Sequence, residues 1–213
     1  MGNPADVELE RRDAGPGAGA GTVAIAWLNR PQMLNAFRSQ TFDRLHEVLD
    51  QVRSDAAIRA LILAGRGRAF CAGEDLVEMG EAVARGFNVR AALAMLVRLQ
   101  GLTRKLVDYP KPVIAAINGP AVGLGAELPL ACDARLAASS AYFYYPEAWR
   151  GMLQTNGTFH LLPALVGHGR AAEWLLTARR IAVEEALAAG LVSVVVPEEQ
   201  RIEAAVALAR TMS

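Results

Sequence analysis

Two stretches of this chain share one pattern, and the pattern leaves few folds open. RALILAG (59–65) is a short apolar run that leads through AFCAGEDL (69–76) into helical spacing, and PVIAAING (112–119) leads through PAVGLGAEL (120–128) in the same way. An apolar run with no polar alternation is the mark of a strand buried on both faces, which parallel sheets covered by helices require. Strand, glycine-rich turn and helix, twice over, predict an α/β fold with parallel strands.

The rest of the chain fits around these units. Residues 7–12 alternate apolar and charged side chains, and 22–28 (TVAIAWL) form a second run; the intervening AGPGAGAG (14–21) reads as a flexible hairpin loop at the domain edge. Pro31 ends the second run, since the residue before a proline is restricted and the ring has no N–H. Phe42, Leu45, Val48, Leu49 and Val52 have helical spacing within 39–52. Helices are expected over 76–83 and 89–107, a strand over 113–117, and a helix from Gly123 through Cys132, with Pro129 tolerable only in a first turn. A strand region covers 135–145, and 158–212 reads as mainly helical with a short strand at 192–196. No internal repeat of fixed period is visible in the residues.

Composition excludes several function classes. Lys plus Arg number 22 and Asp plus Glu number 22, so no surface of one sign suggests a nucleic-acid partner. The uncharged stretch 112–126 is too short for a membrane helix and is broken by Asn118, Gly119 and Pro120. The opening MGNPADVELERRD has no apolar core of the kind a secretory signal needs. Two cysteines, Cys71 and Cys132, make no disulfide framework, so a reduced, cytoplasmic setting is expected. His46, His160 and His168 lack metal-ligand spacing, and neither a nucleophile elbow nor a phosphate loop occurs. Gly65-Arg66-Gly67 lacks the third glycine of a dinucleotide fingerprint; Arg66 and Arg68 read as a solvated loop or as phosphate contacts.

Chemistry is expected at the two glycine-rich turns. The first amides of a helix have no internal acceptor and lie at the positive end of its dipole. Gly73 and Gly123 let a ligand approach the backbone. If the turns lie side by side, one amide from each would grip a single oxygen, each donor supplying roughly 3–4 kcal/mol in a dry site; otherwise they are two ordinary helix entries. Glu127 stands among Leu124, Ala126, Leu128 and Leu130, and Glu147 follows the aromatic run Tyr142–Tyr145 and Pro146. Both read as carboxylates in apolar settings suited to proton transfer, or as acids of a first helical turn. Cys71 reads chiefly as a small buried thiol, or as one activated at a helix start.

Four motifs, LNRPQMLNAF (28–37), AFCAGEDLVEM (69–79), INGPAVGLGAELPLACD (117–133) and YYPEAWRGM (144–152), resemble the crotonase family, the enoyl-CoA hydratase/isomerase superfamily. LLTARRIAVEEALAAGLVSVVVP (175–197) is similar to its C-terminal signature. The resemblance runs over nearly the whole chain in the family's order. It implies a crotonase-like spiral of ββα repeats over 1–197, with 198–213 the start of a C-terminal helical region that is incomplete here, since family members usually continue for several tens of residues.

It also implies a site. The oxyanion donors fall on the backbone N–H groups of Glu74 and Leu124. Two catalytic glutamates fall on Glu127 and Glu147, whereas isomerases keep only the carboxylate matching Glu147. Gln32, Met33 and Leu34 are expected on the adenine side of coenzyme A, and Ala72, Asp75, Leu76 and Val77 around the thioester and pantetheine. No cofactor is expected to be held permanently; coenzyme A enters as part of the thioester. A homotrimer or dimer of trimers is implied, with no nucleic-acid or membrane partner. The implied activity is enoyl-CoA hydration. The alternatives are a Δ3,Δ2-enoyl-CoA isomerase or pathway-specific hydratase/dehydratase, to which Leu124 points, and a non-catalytic acyl-CoA-binding subunit.

Overall fold

A computed structural model describes residues 5–13, 21–86 and 88–212. In chain order the elements are β1 (Val7–Asp13), β2 (Thr22–Leu28), α1 (Ser39–Ser54), β3 (Ile58–Gly65), α2 (Leu76–Ala84), α3 (Val89–Val107), β4 (Val113–Ile117), β5 (Ala121–Val122), α4 (Leu124–Glu127), β6 (Ala134–Ala138), β7 (Tyr142–Tyr144), α5 (Thr158–Val166), α6 (His168–Thr177), β8 (Arg180–Ala182), α7 (Val183–Ala188), β9 (Val194–Val196) and α8 (Arg201–Met212). The glycine-rich loop read at 14–21 lies, Gly21 apart, outside the described residues. None of the described helices is long and apolar enough to cross a membrane.

The main sheet has the order β1-β2-β3-β4-β6-β9. β1 and β2 form the expected antiparallel hairpin, from Val7 opposite Leu28 to Asp13 opposite Thr22, and every other pairing in this sheet is parallel. Both faces are covered, which is why β4 is apolar throughout and β3 is apolar at every position but Arg59. Leu61, Leu63, Val113 and Ala115 face a core shared with Leu45, Leu49 and Val52 of α1 and with α3. Ala60, Ile62, Ile114 and Ala116 face the other way, against Ala205, Val206 and Ala209 of α8. Helix α8, assigned from sequence to the C-terminal helical region, therefore seals one face of the main sheet.

A second sheet, β5-β7-β8, stands beside the first, and Cys71 extends it by a parallel bridge to Ala121. Three successive turns of chain thus repeat one path: β3, Cys71, α2; then β4, β5, α4; then β6, β7 and a 3-10 turn at Glu147–Arg150. Each gives a strand to the main sheet, a shorter one to the second sheet, and then helical backbone. This is the ββα spiral, present in space without any period in the residues.

Local departures have local causes. The helix expected from Gly123 through Cys132 is one turn of α-helix followed by a 3-10 turn over Leu128–Ala131, with Pro129 at its start, where a missing N–H costs little. The strand region 135–145 is two strands, because the chain leaves the main sheet after Ala138 and joins the second at Tyr142. The expected strand at 192–196 begins at Val194. Within 158–212, read as mainly helical, Arg180–Ala182 is a strand, paired antiparallel with β7.

Candidate active site

The repeat carries its chemistry to one place. Glu74 comes three residues after Cys71, Leu124 two after Val122 and Glu147 three after Tyr144, so each lies just past a strand of the second sheet. Those strands are parallel neighbours in register: Cys71 beside Ala121, Ala121 beside Phe143, Val122 beside Tyr144. The three turns therefore leave the sheet at the same end.

Glycines set how closely the turns approach. A Cβ on Gly125 would lie 2.1 Å from the carbonyl oxygen of Cys71. Gly73 has φ +99°, open to glycine but rarely to other residues, and its Cβ would lie 3.0 Å from the Val122 carbonyl and 3.8 Å from the Leu124 nitrogen. The two turns are in direct contact. Leu124 is the first residue of α4, so its amide has no acceptor inside the helix. Among the described residues, neither its amide nor that of Glu74 has a hydrogen-bond acceptor.

Both turns open on one cavity of about 420 Å³. Leu76 and Met79 of α2 and Ala92, Met95, Leu96 and Leu99 of α3 build an apolar wall. Opposite them stand Leu124, Glu127, Glu147 and Gln154, with Ala72, Gly73 and Glu74 also lining the space. The expected juxtaposition of Glu127 and Glu147, twenty positions apart in the chain, is thus present in one cavity, together with a third carboxyl, that of Glu74.

The carboxyls differ in their surroundings. Glu127 is 3% exposed. Asn156 Nδ2 donates to its Oε2 at 2.9 Å and Thr158 Oγ1 to its Oε1 at 2.8 Å. Burial pushes this carboxyl up to about 7; the Thr158 hydrogen bond opposes the shift and the nearby Glu147 adds to it. Glu147 is half-buried and accepts from Gln154 Nε2 at 3.1 Å. Burial raises it too, against its own main-chain amide, Gln154 and Arg150. Glu74 is raised by burial and then by Glu147. A cavity that holds its acids above the ordinary carboxylate range is equipped to give and take protons near neutral pH.

Other sequence-predicted residues divide. Ala72 and Leu76 line the cavity, while Asp75 and Val77 do not. Asp75 is buried, pairs with Arg30 Nη1 at 3.0 Å, and accepts from the amide of Val77 at 3.0 Å, capping α2. Burial alone would raise its carboxyl; the Arg30 hydrogen bond and the helix amides outweigh it and hold it below the ordinary value. Gln32 and Met33 are exposed on a 3-10 turn, and the Leu34 carbonyl takes the Ala72 amide at 2.9 Å, so these distant stretches meet beside the cavity. Arg66 stacks on Trp27 at 3.9 Å and pairs with Glu8, which occupies its charge. Burial pushes the Cys71 thiol up to about 12, so it carries no thiolate at neutral pH.

Sequence reasoning missed Gln154, Asn156 and Thr158, the donors that orient the two glutamates, and Arg30, which anchors the Glu74–Asp75 turn. The polar run QTNGT (154–158) between apolar neighbours was the available signal.

The fold and cavity define a class: a mixed α/β spiral with an apolar pocket, amide donors and acidic groups at its strand ends. Comparisons with known proteins agree. The family profile described as Enoyl-CoA hydratase/isomerase matches residues 18–213. A short-chain-enoyl-CoA hydratase from Clostridium acetobutylicum is 37% identical over 186 residues, 87% of this chain and 69% of that protein. A probable enoyl-CoA hydratase from Mycobacterium leprae is 39% identical over 167 residues, 77% of this chain and 64% of the relative. The crystal structure of an enoyl-CoA hydratase from Bacillus anthracis superposes with a TM-score of 0.87 at 34% identity, over 97% of this chain and 76% of that one. The chain belongs to the enoyl-CoA hydratase/isomerase family and has the crotonase fold. Its match spans 64% to 69% of the length of these two curated relatives.

Proposed function

We propose that this protein hydrates the 2,3 double bond of enoyl-CoA thioesters. The observation that carries the reading is the meeting of Glu127, Glu147 and the turns of Glu74 and Leu124 around one largely apolar cavity. The thioester oxygen sits between the amides of Glu74 and Leu124, which draw charge from the conjugated system and leave Cβ electrophilic. Glu127, oriented by Asn156 and Thr158, takes a proton from a water as its oxygen bonds to Cβ. Glu147, in its protonated form, delivers a proton to Cα, so water adds across one face. Each proton transfer contributes roughly 10²–10⁴-fold.

Gln32, Met33 and Leu34 would meet the adenine side of coenzyme A, with Ala72 and Leu76 at the thioester. Asp75 then acts on the thioester through the turn it braces. The exposed apolar side chains of Val97, Trp149, Leu153 and Leu176 support assembly into a homotrimer or dimer of trimers.

Glu147→Gln tests the reading. The variant keeps its shape and loses the proton, so turnover of crotonyl-CoA should fall at least about 100-fold with the thermal melt unchanged. Near-wild-type turnover refutes the assignment. The alternative is isomerisation, favoured by Leu124, which lines the cavity. Faster isomerisation of 3-hexenoyl-CoA than hydration of crotonyl-CoA by the unaltered protein decides for it. Calorimetric binding of both esters with neither turned over decides for an acyl-CoA-binding subunit.

A further inference from the structure

The chemistry above uses Glu127 and Glu147 as side chains but Glu74 only through its main-chain amide. Its side chain is left over, and its position is unusual. Glu74 lines the same cavity, is half-buried, and lies close enough to Glu127 and Glu147 for its charge to act on both. Glu127 has two side-chain donors and Glu147 has one. Among the described residues the Glu74 carboxyl has no hydrogen-bond donor and no ion-pair partner. Arg150, the one cationic side chain among the described residues lining the cavity, acts on Glu147 and not on Glu74.

This asymmetry has a consequence for what can fill the cavity. An alkyl chain packed against α2 and α3 strips water from the Glu74 carboxyl and offers nothing in exchange, and a polar group buried without a partner is costly. An acyl chain carrying a hydroxyl supplies the missing donor. An acyl chain ending in a carboxylate brings another like charge into a space that already holds three acids, with low-dielectric walls around them.

We propose that the Glu74 carboxyl is a specificity-determining group: it selects acyl-CoA esters with a hydrogen-bond-donating substituent beyond the reacting carbons, and it discriminates against acyl chains that end in a carboxylate. The inference rests on the acyl-CoA reading of the cavity. It assigns the acyl end of the site, where the proposed reaction assigns only the thioester end.

Three saturated four-carbon esters, butyryl-CoA, 4-hydroxybutyryl-CoA and succinyl-CoA, differ only at the far carbon, so their coenzyme A contacts cancel. Their dissociation constants are measured by titration calorimetry on the unaltered protein, Glu74→Ala and Glu74→Gln. The unaltered protein should bind 4-hydroxybutyryl-CoA about tenfold more tightly than butyryl-CoA, with succinyl-CoA weakest. Glu74→Ala should tighten butyryl-CoA about tenfold and bring the two neutral esters within about twofold of each other. Glu74→Gln retains an acceptor and gains a donor, so it should keep the preference for the hydroxyl and accept succinyl-CoA. Equal binding of the three esters by the unaltered protein, or an unchanged ranking in Glu74→Ala, overturns the selective role and leaves the acyl-CoA reading standing. Failure of every ester to bind any of the three forms overturns both.

Discussion

A single methyl group at Gly125 should separate the two turns on which the proposed chemistry depends. In Gly125→Ala the new Cβ would lie 2.1 Å from the carbonyl oxygen of Cys71 and 2.7 Å from its carbonyl carbon. Ordinary contact needs about 3.5 Å, so the segments must part by about 1.4 Å. Neither can yield by a rotamer change, because both contacts are to main chain. The Cys71 carbonyl is also the acceptor of the Val122 amide at 2.9 Å, and the Cys71 amide donates to Pro120 at 3.2 Å. Overpacking of this kind costs about 1–3 kcal/mol, and disturbing the Val122 hydrogen bond adds about 1 kcal/mol. A displacement of about 1 Å at the reacting groups costs on the order of 100-fold in rate. Gly80→Ala is the matched control: it sits inside α2 with nothing within 4 Å of the added Cβ, and should stabilise by about 1 kcal/mol. Urea unfolding followed by circular dichroism gives both stabilities, and loss of the conjugated thioester absorbance of crotonyl-CoA gives the rate. A Gly125→Ala protein within about 0.5 kcal/mol of the unaltered one, turning over at an undiminished rate, would refute the claim that contact between the turns builds the site.

Two further outcomes follow from the buried acids. Because the Glu127 carboxyl is raised from an ordinary value of 4.5 to about 7 in the folded protein, the folded state binds more protons than the unfolded state between those values. Stability should therefore fall as pH rises from 4.5 to 7, by about 3 kcal/mol from this group. Glu127→Gln should flatten that part of the profile, and an identical pH dependence in both proteins would show that Glu127 is ionised freely in the folded state. Asp75→Ala should destabilise by about 3–5 kcal/mol, since it leaves the Arg30 guanidinium buried without its nearest carboxylate and uncaps α2. The reading of Asp75 as a brace requires that loss in a chemical denaturation curve; a stable variant with a raised KM alone would make Asp75 a ligand contact instead.

The fold was legible where one residue pattern determines one environment. Strands β3 and β4 lie between two covered faces, so nearly every position is apolar and their ends could be read to within a residue. Helix α3 announces itself by spacing alone. Strand β8 could not be read this way: it is three residues, Arg180–Ala182, with only Ile181 buried, and its identity comes from pairing with β7 rather than from its own side chains. The spiral itself left no period in the sequence for the same reason. Its turns are equivalent through strand pairing, and the residues that follow each second-sheet strand, Glu74, Leu124 and Glu147, sit in segments of different sequence and spacing, AGED, GLGA and PEAW, that share no common motif. The same distinction runs through the site. Glu127 and Glu147 were visible because a carboxylate in apolar sequence is conspicuous. Asn156 and Thr158 were not, because Asn and Thr beside a glycine are ordinary loop residues until the fold turns Asn156 Nδ2 and Thr158 Oγ1 onto a buried acid. Glu74 shows both sides of this: its motif position marked the amide, while only the packing of three turns at one sheet edge reveals that its carboxyl shares the cavity with the other two. A residue placed by its backbone can thus have its side chain set to a separate task.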